Sequence, residues 1–248
     1  MGWTPPLTLE EKLKKLFVPN ALQRHYHIRR ELKKGEAEIH LVRFLADRAK
    51  VSLDIGANRG VWANVMADYS SKVIAFEPNP KMFALLKAYS DSRIESYPYA
   101  LSNQTGRTRL MVPKGRKGYS NQGASLSHTK IGAGHFSEVE VQSYRLDDLG
   151  ISNVGFIKID VEGYELEVLQ GAKQTIANSR PTLIVEIEEK HVKRPIQDLL
   201  DDVCSYGYEC FALRHGSLVR QKHIDLAKHH SQVADRKNYI FNWVFLPL

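Results

Sequence analysis

The amino-acid sequence predicts an α/β fold built around a mostly parallel sheet. Short apolar runs of strand length alternate along the chain with segments of helical periodicity, which is typical of repeated strand–helix units. Residues 51–77 are the clearest case, because an apolar run, a glycine turn, a helical face and a second apolar run follow one another. Residues 106–146 instead alternate polar and apolar side chains, which predicts an inserted β-hairpin.

The composition is that of a soluble protein without a disulfide framework. Apolar residues make up 43% of the 248 residues, and no segment approaches the roughly 18 consecutive apolar residues of a membrane helix. Cys204 and Cys210 fit no metal-ligand spacing, and the N-terminus lacks the unbroken apolar region of a signal peptide. We therefore expect a cytoplasmic location. The formal net charge of +7 allows an anionic partner but defines none.

Residues 1–50 predict a basic helical extension, or cap, ahead of the sheet. Thr8 and Glu11 have the spacing of a capping box, and a second helix should end near Gly35. A third helix at about 36–48 should pack an apolar stripe on the sheet, formed by Ile39, Val42, Phe44 and Leu45. The many lysines and arginines suit a solvated helix face, or peripheral contact with a membrane surface or an anionic substrate.

The remaining segments complete a seven-stranded sheet within residues 51–248. Asn79 suits the N-cap of a helix with Pro80 at its first position, and a third strand follows at about 94–99. The fourth strand spans 154–159. The later elements are a helix at about 164–177, a strand at 183–189, a helix at about 196–206, a strand at 208–213 and a last, antiparallel strand at about 239–246.

Two loops interrupt this pattern. The loop 113–137 is rich in glycine and contains no acidic residue, and we interpret it as a flap that faces the substrate, with plain disorder as the alternative. The insert 214–238 is basic and histidine-rich. His229 and His230 have no carboxylate or cysteine partner at ligand spacing, so a solvated loop is the simpler interpretation and no metal site is expected.

The glycine turn after the first strand is the candidate cofactor site. Ligands of such sheets lie beyond the carboxyl ends of the strands, beside this turn, and an acid about 20 residues further on binds ribose hydroxyls. Glu77 has that spacing. Residues 56–60 read GANRG, with Asn58 where the nicotinamide motif requires a glycine, and Asp54 precedes them. This looks like the turn of class I methyltransferases that bind S-adenosylmethionine (SAM); an NAD-dependent dehydrogenase is the alternative from another class.

Charged residues at the end of the fourth strand form the candidate catalytic site. A parallel strand covered on both faces should be apolar, yet Lys158 and Asp160 lie on the same side of it. Because an unpaired buried lysine is costly, we expect Lys158 to pair with Asp54, Asp160 or Glu186. A purely structural ion pair that fixes strand register is the alternative to a functional site.

Six blocks in order carry a more specific resemblance: DIGANRG, FEPNP, AL, RLDDL, IKIDVEGYELEVLQGA and LIVEIE. Over about residues 40–215 the sequence resembles the FkbM family of SAM-dependent methyltransferases. The resemblance implies a Rossmann-like class I methyltransferase fold and O-methylation of a hydroxyl on a sugar, glycan or natural product. Nucleic acid is a less expected acceptor, because the fourth strand ends in IDVEG rather than an amino-methylating signature. An RNA methyltransferase and a binding module with a vestigial cofactor site stay open as alternatives.

The resemblance also implies roles by position. The cofactor-binding set would comprise Asp54, Gly56, Ala57, Asn58 and Gly60 at the methionine part, Glu77 at the ribose, and Pro78, Asn79 and Ala100 at the adenine edge. A hydroxyl acceptor must lose a proton, and Asp160 and Glu162 are the candidate bases. Glu186 and His191 are held in reserve, and Glu162 has helix-dipole stabilisation as its structural alternative. A divalent ion between Asp160 and Glu186 is an alternative that we do not adopt.

Overall fold

The structure is a computed structural model that describes residues 3–115, 118–119, 123–126, 135–192, 194–231 and 238–248. Its helices are α1 (Leu9–Phe17), α2 (Asn20–Lys34), α3 (Val42–Leu45), α4 (Val61–Met66), α5 (Pro80–Tyr89), α6 (Glu165–Gln170), α7 (Lys173–Ser179), α8 (Glu189–Val192) and α9 (Ile196–Cys204). Its strands are β1 (Val51–Ile55), β2 (Lys72–Phe76), β3 (Ile94–Tyr97), β4 (Tyr99–Leu101), β5 (Gly106–Gly115), β6 (Gly118–Tyr119), β7 (Phe136–Tyr144), β8 (Val154–Ile159), β9 (Thr182–Glu186), β10 (Tyr208–Arg214), β11 (Ser217–Arg220) and β12 (Asn242–Pro247).

The main sheet has the order β11-β10-β12-β9-β8-β1-β2-β3. Strands β3, β2, β1, β8 and β9 run parallel, and β12 pairs antiparallel with both β9 and β10. The predicted mostly parallel sheet with an antiparallel last strand is thus confirmed. Since the chain leaves β1 toward β2 on one side and returns as β8 on the other, the carboxyl ends of β1 and β8 flank the crevice in which such sheets bind ligands.

The sheet has one strand more than the seven predicted. Residues 217–220, placed in the basic insert by the sequence, form β11, which pairs antiparallel with β10. The two-residue turn between them consists of His215 and Gly216, both with positive φ (49° and 79°), as a tight hairpin requires. The His215-Gly216 pair is a short hairpin signal, but the basic residues around it are more typical of a solvated loop than of a strand.

The predicted third strand is divided between two sheets. β3 ends at Tyr97 in the main sheet, and β4 joins a second sheet of order β4-β7-β5-β6. Pro98 lies at the division, where it has no N–H for either ladder. β5 and β7 pair antiparallel from Gly106 to Pro113, which confirms the predicted inserted hairpin.

The N-terminal helices largely follow the prediction. Thr8 and Glu11 form the capping box of α1, and Gly35 ends α2. The expected helix at 36–48 is instead a 3₁₀ turn at Ala37–Leu41 followed by α3. Ile39 and Val42 are buried as predicted, whereas the prediction for Phe44 was wrong, because its side chain is 69% exposed. The tighter 3₁₀ period rotates Phe44 out of the apolar stripe.

The core lies on both faces of the main sheet. One apolar cluster packs β1 and β8 residues such as Leu53 and Ile157 against α6, α7 and α9. The other packs Phe156 and Ile184 against α4 and the N-terminal segment. This alternation of faces within β8 is the period-two pattern of a strand covered on both sides. In the described part of the chain, no helix has the length and apolar content needed to span a membrane.

Candidate active site

A pocket of about 720 Å³ opens at the carboxyl ends of β1, β2, β8 and β9. Residues of α2, the turn after β1 and the segment 123–126 line it, together with the loops that follow β8 and β9. Eight of the nine predicted cofactor residues are among the lining residues: Asp54, Gly56, Ala57, Asn58, Glu77, Pro78, Asn79 and Ala100. The volume is within the range of small-molecule and cofactor sites, and the position is the one expected for this sheet.

Gly56 allows the turn to approach the end of β8. Its φ is +84°, and a Cβ at this position would lie 1.8 Å from the carbonyl oxygen of Asp160. Asn58 also has a positive φ, of 50°. The glycine therefore permits a backbone contact that joins the predicted cofactor turn to the predicted catalytic loop.

Gly60, the ninth predicted cofactor residue, is not among the pocket-lining residues. It is the N-cap of α4, with φ +81°, and a Cβ there would lie 2.5 Å from Leu86 Cδ1 on α5. The glycine thus lets α4 begin close against α5. The structure gives Gly60 a packing role, and its place at the cofactor stays a prediction.

The carboxylate of Glu77 is held by two backbone N–H groups. Asn58 N donates to Oε2 at 2.7 Å, and Asn79 N donates to Oε1 at 2.8 Å. Burial raises the pKa of Glu77 to about 7, although these two hydrogen bonds act to lower it. The side chain is therefore fixed against the glycine turn, where its remaining lone pairs can accept from a ligand.

Two buried polar atoms in the pocket-lining set have no hydrogen-bond partner among the described residues. One is Oδ2 of Asp54 and the other is Nδ2 of Asn79, whose Oδ1 caps α5 by accepting from Lys81 N. Burial raises the pKa of Asp54 to about 7, against the opposing effect of Lys158. Since buried polar groups are nearly always satisfied, an orphan acceptor and an orphan donor at one pocket indicate a ligand with both kinds of group.

Lys158 is fully buried at the centre of a charge network. Its Nζ donates to Asn242 Oδ1 at 2.9 Å and lies 3.8 Å from Asp160 Oδ2 and 3.9 Å from Glu36 Oε2. Burial disfavours the ammonium, but the surrounding carboxylates raise the pKa of Lys158, so the charge is kept. Asn242 Nδ2 completes the network by donating to Glu36 Oε2 at 3.0 Å.

This network confirms one of the three predicted partners of Lys158 and adds two further ones. Asp160 is the confirmed partner, whereas Asp54 and Glu186 form no ion pair with the lysine in the described structure. Glu36 and Asn242 were missed. Asn242 could have been found, because it is a polar residue at the start of an apolar strand, the same signal that identified Lys158. No local pattern pointed to Glu36.

Glu162 contacts the segment that covers the pocket. Its backbone has φ 62°, its Oε1 accepts from Gly123 N at 2.9 Å, and its carbonyl oxygen accepts from Ser125 Oγ at 2.7 Å. Of the predicted flap 113–137, residues 123–126 line the pocket, whereas 116–117, 120–122 and 127–134 lie outside the described residues. Glu162 therefore anchors part of this flap, a role that the sequence did not suggest.

Glu165 is a second residue whose structural role the sequence patterns did not predict. Its buried carboxylate accepts from Gly163 N at 2.9 Å and from Val161 N at 3.2 Å. Burial raises its pKa to about 7. The side chain thereby fixes the loop that carries Asp160 and Glu162. No local sequence pattern pointed to Glu165, the first residue of α6.

The reserve candidates Glu186 and His191 lie beside Glu162. One potential metal-ligand atom from each of these three residues, a carboxylate oxygen or a ring nitrogen, lies within 4.8 Å of the other two. Glu36, Asp160 and Glu186 form a second group of the same kind. Burial and the nearby Asp160 raise the pKa of Glu186 to about 9. Nε2 of His191 lies 3.4 Å from Glu188 Oε1. The strand ends thus bring together all four candidate proton acceptors.

The prediction that His229 and His230 are solvated was wrong for His230. The π-helical turn Ala227–Ser231 buries that ring, which stacks on Tyr239 with centroids 4.9 Å apart. Tyr239 Oη also lies 3.2 Å from its Nε2. His229 is half-buried. The turn folds back on the start of α8, a tertiary contact with no local sequence signal.

The comparisons with known proteins agree with this geometry. The methyltransferase FkbM domain model matches residues 54–210. Hexuronic acid methyltransferase AglP of Haloferax volcanii is 29% identical over 177 residues, which are 70% of each chain. The 2-O-methyltransferase NoeI of Sinorhizobium fredii is 25% identical over 186 residues, covering 67% of this chain and 76% of that protein.

Two solved structures show the same fold. The FkbM methyltransferase of Methylobacillus flagellatus has a TM-score of 0.50 and 17% identity over 91% of this chain, which spans only 54% of that longer chain. A Streptococcus mutans protein in complex with S-adenosylhomocysteine (SAH) has a TM-score of 0.50 and 7% identity, covering 86% of this chain and 96% of that one. The domain match includes the GANRG turn and decides against the dehydrogenase alternative. Because that match extends over more than half of the sequence, the chain belongs to the FkbM methyltransferase family.

Proposed function

We propose that this protein transfers a methyl group from SAM to a hydroxyl of a sugar, glycan or natural product. One observation carries the proposal: eight predicted cofactor residues and the candidate base Asp160 line a single pocket of about 720 Å³. Donor and acceptor groups must meet in one water-excluding space for methyl transfer, because alignment supplies much of the rate. A pocket with both residue sets meets this requirement.

The residues present fit SAM. Asp54 offers an unpaired buried oxygen, which suits the methionine ammonium, and Asn79 offers an unpaired amide donor, which suits a ring nitrogen of adenine. Glu77 is a fixed acceptor for ribose hydroxyls. These groups match the three parts of the cofactor in kind. When bound, SAM supplies a methyl group on a positively charged sulfur and so needs no further activation.

Asp160 is the proposed base. It lines the pocket, is half-buried, and has Lys158 Nζ 3.8 Å from its Oδ2. Asp160 would accept the proton of the acceptor hydroxyl, and bound SAM would supply the methyl group that this oxygen receives, leaving as S-adenosylhomocysteine. Glu162 holds residues 123–126 over the pocket and so helps to exclude water.

A sugar is the acceptor best supported by the relatives. AglP is a hexuronic acid methyltransferase and NoeI is a 2-O-methyltransferase. The polar lining on the β8–β9 side offers carboxylates and a histidine to bind several hydroxyls.

We propose residues 1–50 as a cap in peripheral contact with a membrane and residues 51–248 as the catalytic domain. We also propose a cytoplasmic location, which is consistent with the free thiols of Cys204 and Cys210.

The first test is thermal unfolding with and without SAH. A ligand at about 100 times its Kd stabilises a protein by about 2.7 kcal/mol, so a clear rise in Tm is expected. NAD serves as the control ligand and should give no shift. Mass spectrometry of candidate acidic and neutral glycans incubated with SAM and the protein would then identify the methylated product. No shift at millimolar SAH would contradict the proposal.

A further inference from the structure

The N-terminal helix α1 presents its apolar face to solvent. Leu9, Leu13, Leu16 and Phe17 recur at helical spacing and have exposed fractions of 74%, 49%, 74% and 72%. At about 100° per residue these four side chains lie within an arc of about 100°. We call them the α1 apolar face. A surface helix of a globular protein normally turns such a stripe toward the core, so its exposure here needs a reason.

The opposite side of α1 is attached to the protein by polar contacts. Glu11, the capping-box residue, forms an ion pair at 2.9 Å with Lys81, whose side chain is 1% exposed. Gln23 of α2 donates to the carbonyl oxygens of Lys14 and Val18, at 3.2 and 2.8 Å. Tyr89 in turn donates to Gln23 at 2.7 Å. These buried contacts fix the helix with its apolar face outward.

The charges beside this face are mostly cationic, with Glu10, about 20° beyond Phe17 at 100° per residue, as the exception. Two lysines flank the α1 apolar face. At 100° per residue around the helix axis, Lys12 lies about 40° beyond Leu16 on one side, and Lys14 lies about 60° beyond Phe17 on the other. Lys14 also pairs with Glu10, an exposed i,i+4 contact of small energetic weight. The next helix adds three cations that do not line the pocket, Arg24, Arg29 and Lys33.

We infer that α1 docks the protein on a membrane surface rich in anionic lipid. An apolar stripe flanked by lysines is the pattern of helices that lie in the interface of a bilayer, where lipid chains cover the apolar side and headgroups neutralise the cations. A second copy of this chain fits less well, because two cationic surfaces would face each other. The inference deepens the proposed function, but the binding to lipid does not depend on methyl transfer.

The position of α2 gives the docking a consequence for the acceptor. His27, Arg30, Glu31 and Lys34 of this helix line the pocket, while Leu22 and Tyr26 are 61% and 60% exposed. The two helices thus contain both the docking face and one wall of the active-site pocket. This arrangement suits an acceptor hydroxyl on a group that is itself held at the membrane, such as a lipid-linked sugar.

Sedimentation of the full chain with vesicles tests the inference. Vesicles of phosphatidylcholine alone are compared with vesicles containing one quarter phosphatidylglycerol. We expect binding to the anionic vesicles that weakens at high salt, and a loss of at least ten-fold in affinity for the double variant Leu13→Ser/Phe17→Ser. Phe44→Ser is the matched control, because Phe44 is 69% exposed on α3 and lies outside the α1 apolar face.

Two further measurements separate the possible outcomes. Thermal stabilisation by SAH should be the same in all variants, which shows that the fold and the cofactor site are intact whatever the vesicles report. Binding that is absent in the natural chain, or that is equal in the double variant and in Phe44→Ser, would overturn the inference. So would a dimer, seen by light scattering of the natural chain and lost in the double variant, since it would assign the α1 apolar face to a second copy.

Discussion

Replacing Glu77 with glutamine should weaken cofactor binding and lower the free energy of unfolding, and the two effects can be measured separately. In the structure each carboxylate oxygen accepts from a backbone N–H, of Asn58 at 2.7 Å and of Asn79 at 2.8 Å. Glutamine retains one acceptor oxygen but turns an NH₂ group toward the other N–H. One buried donor is then left without an acceptor, and the ionised acceptor for the ribose is lost.

The two losses can be given magnitudes. One unsatisfied buried N–H costs about 1–3 kcal/mol of unfolding free energy. A hydrogen bond to a charged acceptor contributes about 1.5–3 kcal/mol, so losing one bond to the ribose should raise the Kd for SAH by about 10- to 150-fold. Isothermal titration calorimetry measures the Kd, and urea unfolding without ligand measures the stability.

Glu165→Gln is the matched control for this experiment. Glu165, the first residue of α6, is another buried glutamate that accepts from backbone N–H groups and has its pKa raised to about 7 by burial, yet it does not line the pocket. It should lose stability to a similar extent and retain its SAH affinity. If Glu77→Gln binds SAH as tightly as the natural chain, the assignment of Glu77 to the ribose is refuted.

Four further outcomes are expected. Asp160→Asn should lower kcat by about 10²- to 10⁴-fold in a mass-spectrometric methylation assay and leave SAH affinity intact; full activity would remove Asp160 as the base. Gly56→Ala should cost about 3 kcal/mol or more by urea unfolding, because its Cβ would lie 1.8 Å from the Asp160 carbonyl oxygen, and a stable variant would refute that contact. Burial raises the pKa of Asp54, Glu77 and Glu165 to about 7, so their contribution to stability is full below the unfolded pKa of about 4 and is lost as pH rises through 7. Urea unfolding of the ligand-free protein should therefore show falling stability from about pH 4 to pH 7, and a rise over that range would contradict the prediction. With Asp160 as base, turnover should survive EDTA, whereas a loss reversed by Mn²⁺ would argue for an ion among the carboxylates and histidine at the strand ends.

Local patterns were sufficient to predict most of the sheet and to find residues that line one pocket. Strand periodicity and turn chemistry depend on neighbouring residues, so β8 was placed at 154–159 and the N-cap at Asn79 as observed. Glu77 could be found because the spacing from the glycine turn is set by the geometry of a βαβ unit. The resemblance to the FkbM family added the methyl-transfer chemistry, and the domain match confirms that family.

Contacts between distant segments could not be predicted in this way. Asn242 pairs with Lys158 across 84 residues and with Glu36 across 206, and no periodic signal connects such positions. The burial of His230 and the contact of Glu162 with Gly123 have the same origin, since both depend on how loops fold back over the strand ends. The exposure of Phe44 reflects a different cause, the local change from α-helical to 3₁₀ winding.

The Lys158 network sets a limit on when the site can be completed during synthesis. Lys158 hydrogen-bonds to Asn242 in β12, and Asn242 in turn binds Glu36, which precedes β1. A ribosome that has made β1 to β9 has already produced the cofactor turn, but the strand that holds the lysine beside Asp160 is still missing. A growing chain therefore cannot complete the hydrogen bonds around Lys158 until β12 has emerged.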